Sequence, residues 1–301
     1  DTYVAWGWDM GGTTATNTSG GITSTVMANT TYGQSIVSFT GTGSSSTVGH
    51  GLTSAPEVVL VMNRDIVHNP SMWHTSIPNT HYLHLDGTAT SAQNTAYWNS
   101  TSPTSSVFTV GTSADVNGSS NNMIAYCFHS VSGYSKFSSY SGNGSTSGPT
   151  VTLGFRPAFI MIKSSTQAEN WNIIDNVRSP FDKYSNGSNL RNVLKANVTV
   201  AESQFGIKFT DTGFQLVTTD GEVNANGQTY TYMAFAGGLD SIADHNTDGT
   251  IPSYVKANTT YGQSIVSYIG NQTSGATVGH GLSSAPEMMI IKNRSQATDW
   301  I

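Results

Sequence analysis

The sequence predicts an all-β protein made of tandem antiparallel β-sandwich modules, jelly-roll or lectin-like, set in an elongated array. Three observations lead there. Short apolar runs rich in Val, Ile, Phe and Tyr alternate throughout with Gly, Asn, Ser or Pro clusters, the punctuation of strands and turns. The chain repeats itself, ANTTYGQSIVS at Ala28 to Ser38 returning at Ala257 to Ser267. Only 10% of residues are charged, against roughly 25% in ordinary globular chains, while 10% aromatics supply the core that a disordered polar chain lacks.

The repeat sets the order of the parts. At a shift of 229 residues Tyr3 to Gly41 overlies Tyr232 to Gly270, and TVGHGLTSAPE (Thr47 to Glu57) meets TVGHGLSSAPE (Thr277 to Glu287) one residue later. A weaker period of 107 overlays VNGSSNNMIAYCFH (Val116 to His129) on VNANGQTYTYMAFA (Val223 to Ala236). Residues 1–12 therefore read as the end of a preceding module, 13–31 as a linker, 32–130 as module A, 134–238 as module B, 243–260 as a second linker and 261–301 as the start of a second module A. The linkers are assigned from their turn formers and few large apolar residues. Modules cut at both ends predict a longer natural array.

Within the modules, Ser35 to Phe39 alternates as a half-buried strand does. EVVLVMN (Glu57 to Asn63), AFIMIK and EMMIIK are continuous runs, suited to central strands buried on both faces. Val107 to Val110 and Met123 to His129 complete module A, and Gly213 to Thr218 and Thr229 to Phe235 complete module B. NLRNVLKANVTVAES (Asn189 to Ser203) places Leu190, Val193, Leu194 and Val198 at helical spacing, which predicts one short helix. Trp73, Trp171 and Trp300 each follow a continuous run, and are expected to pack the sandwich cores. Cys127, the single cysteine, lies in an apolar run and is expected to be a buried small hydrophobe.

The net charge of −6 is spread along the chain without a basic run, which argues against nucleic acid and anionic membrane surfaces as partners. No apolar run approaches the roughly 18 residues of a membrane span.

Several clusters invite a chemical reading. His68, His74, His81, His84 and Asp86 are the densest set of metal-ligating types, but on an extended HYLHLD segment His81 and His84 face opposite sides, and module B has no counterpart. No metal and no cofactor are expected. His50 and His280 recur in V-G-H-G-L, where glycine-enabled turns with an imidazole bonded to nearby backbone explain the pattern. Asp175 with Asp182, and Asp211, Asp220 and Glu222, supply carboxylates of the kind that glycosidases pair across a cleft, and module A offers Asp115. They stand beside turn residues, where Asp caps turns, so no catalytic residue is assigned. DGEVNANG lacks the full oxygen-ligand pattern of a calcium loop. No nucleophile elbow or phosphate-binding glycine loop occurs. Trp98 and Tyr97, set among Asn, Ser and Thr, are the candidates for an exposed sugar-stacking platform, with placement in the core the favoured alternative. Asn-x-Ser/Thr sequons, among them Asn29, Asn99, Asn143 and Asn258, would matter only where a host glycosylates them.

The run YCFHSVSGYSKFSSYSGNGSTSGPTVTLGFRPAFIMIK (Tyr126 to Lys163), TSPTSSVFTVG (Thr101 to Gly111), TTDGEVNANGQTYTYMAFA (Thr218 to Ala236), YVAWGWDMGG and TVGHGLTSAPE resemble an uncharacterised family of tandem modules. That family is found in virion and tail-fibre-like proteins of tailed, often marine, phages. The resemblance covers essentially the whole chain. It implies a non-enzymatic structural and adhesive fibre or virion appendage, extracellular or on the virion surface. Its implied partners are neighbouring modules, other fibre subunits and cell-surface glycan. The alternatives are a carbohydrate-binding module with a defined pocket and a polysaccharide depolymerase.

Overall fold

The computed structural model describes residues 1–179, 190–237 and 243–300. The continuous run of module A becomes strand Val58–Asn63, paired antiparallel with Ser71–His74 on one side and Asn122–Phe128 on the other. The sheet extends through Gln34–Thr40, Ser24–Asn29 and Thr14–Asn17 on one flank, and through His81–His84 and Ala92–Gln93 on the other, to eight strands. A two-stranded ribbon, Ser46–Gly49 with Val107–Val110, closes the sandwich: Phe108 and Val110 share a buried core with Val37, Phe39, Val59 and Val61. Module B likewise forms an eight-stranded antiparallel sheet, with Pro157–Ser164 between Thr229–Ala236 and Asn172–Asp175. The chain is thus all-β, and among the described residues its helices are confined to the four-residue turns Thr95–Trp98, Ala114–Asn117 and Gly221–Asn224.

Two sequence expectations are corrected here. The helix expected over Asn189 to Ser203 is a strand, Leu190–Lys195, lying between Asn172–Asp175 and Ser203–Thr210; Asn189 itself falls outside the described residues. Two waiting sheet neighbours outweigh a weak helical period, and β-branched Val193 suits the pleat. The linker expectation also gives way. Residues 13–31 contain the hairpin of Thr14–Asn17 and Ser24–Asn29, and residues 243–260 contain that of Asp244–Asn246 and Ser253–Asn258. The outer strand of the first is exposed on most positions, so it carries no apolar stripe for a sequence to display.

A third module, C, is assembled from both ends of the sequence. Its five-stranded sheet runs Asp244–Asn246, Ser253–Asn258, Gln263–Ile269, Thr2–Trp8, Met288–Asn293. Thr2–Trp8 occupies the place that Asn122–Phe128 holds in module A.

Continuous apolar runs are explained by two cores. Along Val58–Asn63, Val59 and Val61 face the interior of module A, whereas Val58 and Leu60 join a cluster fed by all three modules. In that shared core Phe235 of module B meets Phe128 of module A at 5.9 Å and Trp8 of module C at 5.7 Å between ring centroids. Nearby, Tyr134 stacks on Tyr261 at 4.4 Å and lies 6.3 Å from Tyr32, one tyrosine from each module. The ANTTYGQSIVS hairpin supplies Tyr32 and also Gln34, which is buried; its side chain donates to the Asp9 carbonyl at 2.6 Å and accepts from the Tyr134 hydroxyl at 3.3 Å.

Register also sorts the tryptophans. Met72 lies opposite Leu60, and Ile173 opposite Met161, so Trp171 corresponds to Pro70, not to Trp73. Trp73 points into the core of module A, its indole nitrogen without a hydrogen-bond partner among the described residues. Trp171 and Trp300 instead reach into the module before their own: Trp171 donates to the His84 carbonyl at 2.9 Å and Trp300 to the Lys195 carbonyl at 3.1 Å. His84 and Lys195 are equivalent, since Leu83 pairs with Met72 as Leu194 pairs with Ile173. The latch is therefore made twice by the same geometry.

The repeated Val-Asn pair has a local reason. Asn117, fully buried at the end of its helical turn, donates to the carbonyls of Ser44 and Gly111 at 2.8 and 2.7 Å and accepts from the Thr42 N–H at 2.8 Å. Asn224 does the same with Ser145, Thr218 and Asn143. One side chain thus pins a hairpin turn to a strand end in each module, satisfying backbone groups that burial would otherwise orphan.

Candidate functional site

The histidines separate into structural roles. In both copies of V-G-H-G-L the imidazole Nδ1 accepts the N–H two residues on, from Leu52 and Leu282, at 3.1 Å each. Gly51 and Gly281 sit at φ +74° and +71°, where a Cβ would strain the turn. Burial holds His50 below the usual imidazole range. His74 accepts from the Ser76 N–H and, through Nε2, donates to the Tyr232 carbonyl of module B at 3.2 Å. Burial pushes its pKa down to about 4, so the ring is neutral. His81 contacts Thr80, and Asp86 is exposed. Among the described residues no group of three His, Cys, Asp or Glu side chains converges on a metal position.

His68 and His84 lie at two ends of one network that runs through Asp115 and Tyr97. His68 Nδ1 lies 3.0 Å from Asp115, whose other oxygen accepts from the Tyr97 hydroxyl at 2.5 Å. His84 stands 3.4 Å from that hydroxyl and 3.3 Å from Ser71 Oγ. Burial, then the bond to Asp115, drives the Tyr97 hydroxyl above its ordinary range. Module B carries a counterpart: Glu222, at the same place in its helical turn, accepts from Asn170 at 2.9 Å and from Lys195, the equivalent of His84. The carboxylate at this turn position is thus engaged in both modules by different partners, His68 and Tyr97 in one and Lys195 and Asn170 in the other.

The sugar platform expected at Tyr97 and Trp98 has no open ring faces. Tyr97 is 6% and Trp98 2% exposed, and Tyr97 is stacked on Tyr82 at 3.7 Å. Polar neighbours in sequence suggested exposure, but the turn Thr95–Trp98 directs both rings inward.

The acidic residues are engaged likewise. Asp175 is buried, accepting from the Trp6 indole at 3.0 Å and from Arg178 Nε at 2.6 Å. Arg178 continues to Glu202 at 2.7 Å, and Glu202 to Arg294 of module C at 2.9 Å. Burial opposes the Arg178 charge, but Asp175 and Glu202 outweigh it and hold the guanidinium above its ordinary value. This chain of two acids and two arginines ties module B to module C. Asp182 lies outside the described residues. Asp211 is almost fully exposed, 3.5 Å from Arg156, and Asp220 caps the Gly221–Asn224 turn. Cys127 is buried, with its thiol raised well above the usual value.

An open cleft lies beside the ion chain between modules B and C. A cleft of about 690 Å³ is lined by His245, Tyr254, Ser267, Tyr268, Asn271 and Arg294, among others. Tyr254 is 54% exposed, with the edge of His245 against it at 5.8 Å. Tyr268 is backed by Tyr3, stacked at 5.3 Å. Arg294 is neutralised by Glu202 and also donates to Ser267 Oγ at 3.0 Å. The cleft therefore sets an exposed tyrosine and a few hydroxyl, amide and imidazole groups, with no uncompensated charge, in a largely apolar lining that includes Ile251, Pro252 and Ile269. Its aromatic comes from residues read as linker; the usable signal was a large tyrosine at an outward position of strand Ser253–Asn258.

Among the described residues no helix is long and apolar enough to cross a membrane. No curated protein and no solved structure matches the chain. The family described as a domain of unknown function, DUF7483, matches residues 1–238 and again 240–301, two successive matches as the long repeat requires. With nearly every residue covered, the chain belongs to that family.

Proposed function

We propose that the chain is a non-enzymatic structural and adhesive repeat protein of a fibre or virion appendage, tail-fibre-like and attaching a phage to its host from the virion surface. The observation that carries this reading is the repeated indole latch, Trp171 to His84 and Trp300 to Lys195, together with the core that three modules share. A molecule that joins successive modules by the same contact is organised for assembly. In this reading the modules are tandem jelly-roll or lectin-like sandwiches, and elongation comes from stacking such groups along their common axis. Electron microscopy of the intact particle-borne protein tests it: a thin projecting appendage is expected, and a dispersed soluble enzyme would overturn it.

The second reading, a carbohydrate-binding module, is favoured by the cleft at Tyr254. It is compatible with the first, because weak sites repeated along a fibre gain by avidity. Glycan-array binding that is lost in Tyr254→Ala and kept in Trp98→Phe would support it. Silence across neutral glycans would leave the structural reading alone. A polysaccharide depolymerase is the least favoured reading, since Asp175 and Glu222 are engaged in ion pairs within module B.

A further inference from the structure

Module B brings an amine, an amide and a carboxylate together. Lys195 ends strand Leu190–Lys195 and lies opposite Asn172 of the neighbouring strand, two residues after Asn170. Glu222 comes from the helical turn Gly221–Asn224, which Asp220 caps. One oxygen of Glu222, Oε1, accepts from both partners: from the Lys195 ammonium and, at 2.9 Å, from the Asn170 amide nitrogen. The Asn170 side-chain carbonyl accepts in turn from the Asn197 amide at 2.9 Å, and Asn197 is fixed by accepting the Trp171 backbone N–H at 2.9 Å. The orientation of each amide is therefore set by the network. The Lys195 and Glu222 side chains are only 20% and 16% exposed.

Each group suits one step of an amide exchange. A lysine amine is a nucleophile once it has given up a proton. The carboxylate stands where it can take that proton and hand it to the amide nitrogen. The Asn197 N–H points at the oxygen on which negative charge would develop. Sheet pairing holds amine and amide side by side, so the encounter is already made in the folded chain.

We propose that Lys195 and Asn170 join through a side-chain amide bond, a self-modification of module B that Glu222 promotes. Glu222 takes a proton from the Lys195 ammonium, and the freed Nζ attacks Asn170 Cγ to form the new C–N bond. Glu222 then gives its proton to Asn170 Nδ2, and the old C–N bond breaks. Ammonia leaves, taking the surplus proton of Nζ with it as ammonium. Nothing is oxidised or reduced, and no co-reactant is needed. The product ties two neighbouring strands by a bond that denaturants do not break.

Module A is the built-in comparison. By the register that matches Trp171 to Pro70, Asn69 stands for Asn170, while Asp115 and His84 stand for Glu222 and Lys195. Amide and carboxylate are there without the amine, so the bond is expected in module B and not in module A. The inference goes beyond the appendage reading and does not depend on it.

The test is mass spectrometry of the full unsubstituted chain after denaturation. An intact mass short by one ammonia is expected, with a tryptic digest in which residues 164–178 are joined to residues 192–208 and Lys195 is not cleaved. Unlinked peptides at the mass of the sequence would overturn the proposal. So would ammonia lost within a single peptide, as imide formation at an asparagine causes. Lys195→Arg and Glu222→Gln, each checked for folding by circular dichroism, are expected to keep the full mass. A linked Glu222→Gln protein would overturn the role given to the carboxylate, and the unsubstituted chain alone decides whether the bond exists.

Discussion

The indole N–H of Trp171 donates to the carbonyl of His84 in the neighbouring module at 2.9 Å. Trp171 is 2% exposed, so this contact combines a large buried ring with the only hydrogen bond that its nitrogen can make. Trp171→Ala is expected to destabilise the protein by about 3–5 kcal/mol, and Trp171→Phe, which keeps most of the ring, by about 1–2 kcal/mol. Urea unfolding followed by circular dichroism distinguishes them. Equal losses in the two variants would show that the hydrogen bond, not the ring, holds the junction.

Glu202 joins Arg178 of module B to Arg294 of module C. Glu202→Gln preserves shape but leaves a buried guanidinium short of its counter-charge, at an expected cost of about 3 kcal/mol. Replacing the surface acid Asp211 by Asn is the control, with an effect below about 0.5 kcal/mol. Thermal melts of both variants check this pair of expectations.

His74 gives a signed pH dependence. Its pKa falls from 6.5 to about 4 on folding, because burial disfavours the charged ring more than the Tyr232 carbonyl favours it. Between those values the unfolded chain binds the extra proton, so stability falls as pH drops from 6.5 towards 4 and is unaffected by this group above 6.5. The loss amounts to about 3 kcal/mol. His74→Asn is expected to be less stable at pH 7 but to show a shallower decline over that window in urea titrations at stepped pH.

Asn117 and Asn224 make matching sets of three hydrogen bonds. Asn117→Ala strands buried backbone groups and is expected to cost about 2–3 kcal/mol, with Asn224→Ala similar in module B. Asn117→Asp is expected to be no milder, since an acceptor-only carboxylate cannot donate to Ser44 and Gly111. Hydrogen exchange should show each loss centred on its own hairpin, Gly41 to Ser46 in one module and Gly142 to Ser147 in the other.

Much of the fold was legible because it is written in residue types that admit few alternatives. The run at Glu57 to Asn63 announced a strand buried on both faces, and the Val-Asn pair marked a repeated turn lock. What could not be read was which surfaces face each other. Val58 and Val59 are the same letter, yet one packs between modules and the other within one. Thr14–Asn17 looked like linker because an exposed edge strand displays no apolar side. Tyr97 and Trp98 looked exposed because their sequence neighbours are polar, a property that a four-residue turn reverses. The cleft at Tyr254 needed three dimensions, since its lining draws on residues from both ends of the sequence.

The placement of Thr2–Trp8 has a mechanical side. Tyr3 pairs with Asn293, and Trp8 with Met288, so the two strand ends nearest Asp1 and Trp300 lie at the same edge of the sheet. Tension drawn between those residues would peel the pair open one rung at a time rather than shear all rungs together. That pair would therefore part at a lower force than one loaded along its whole length at once.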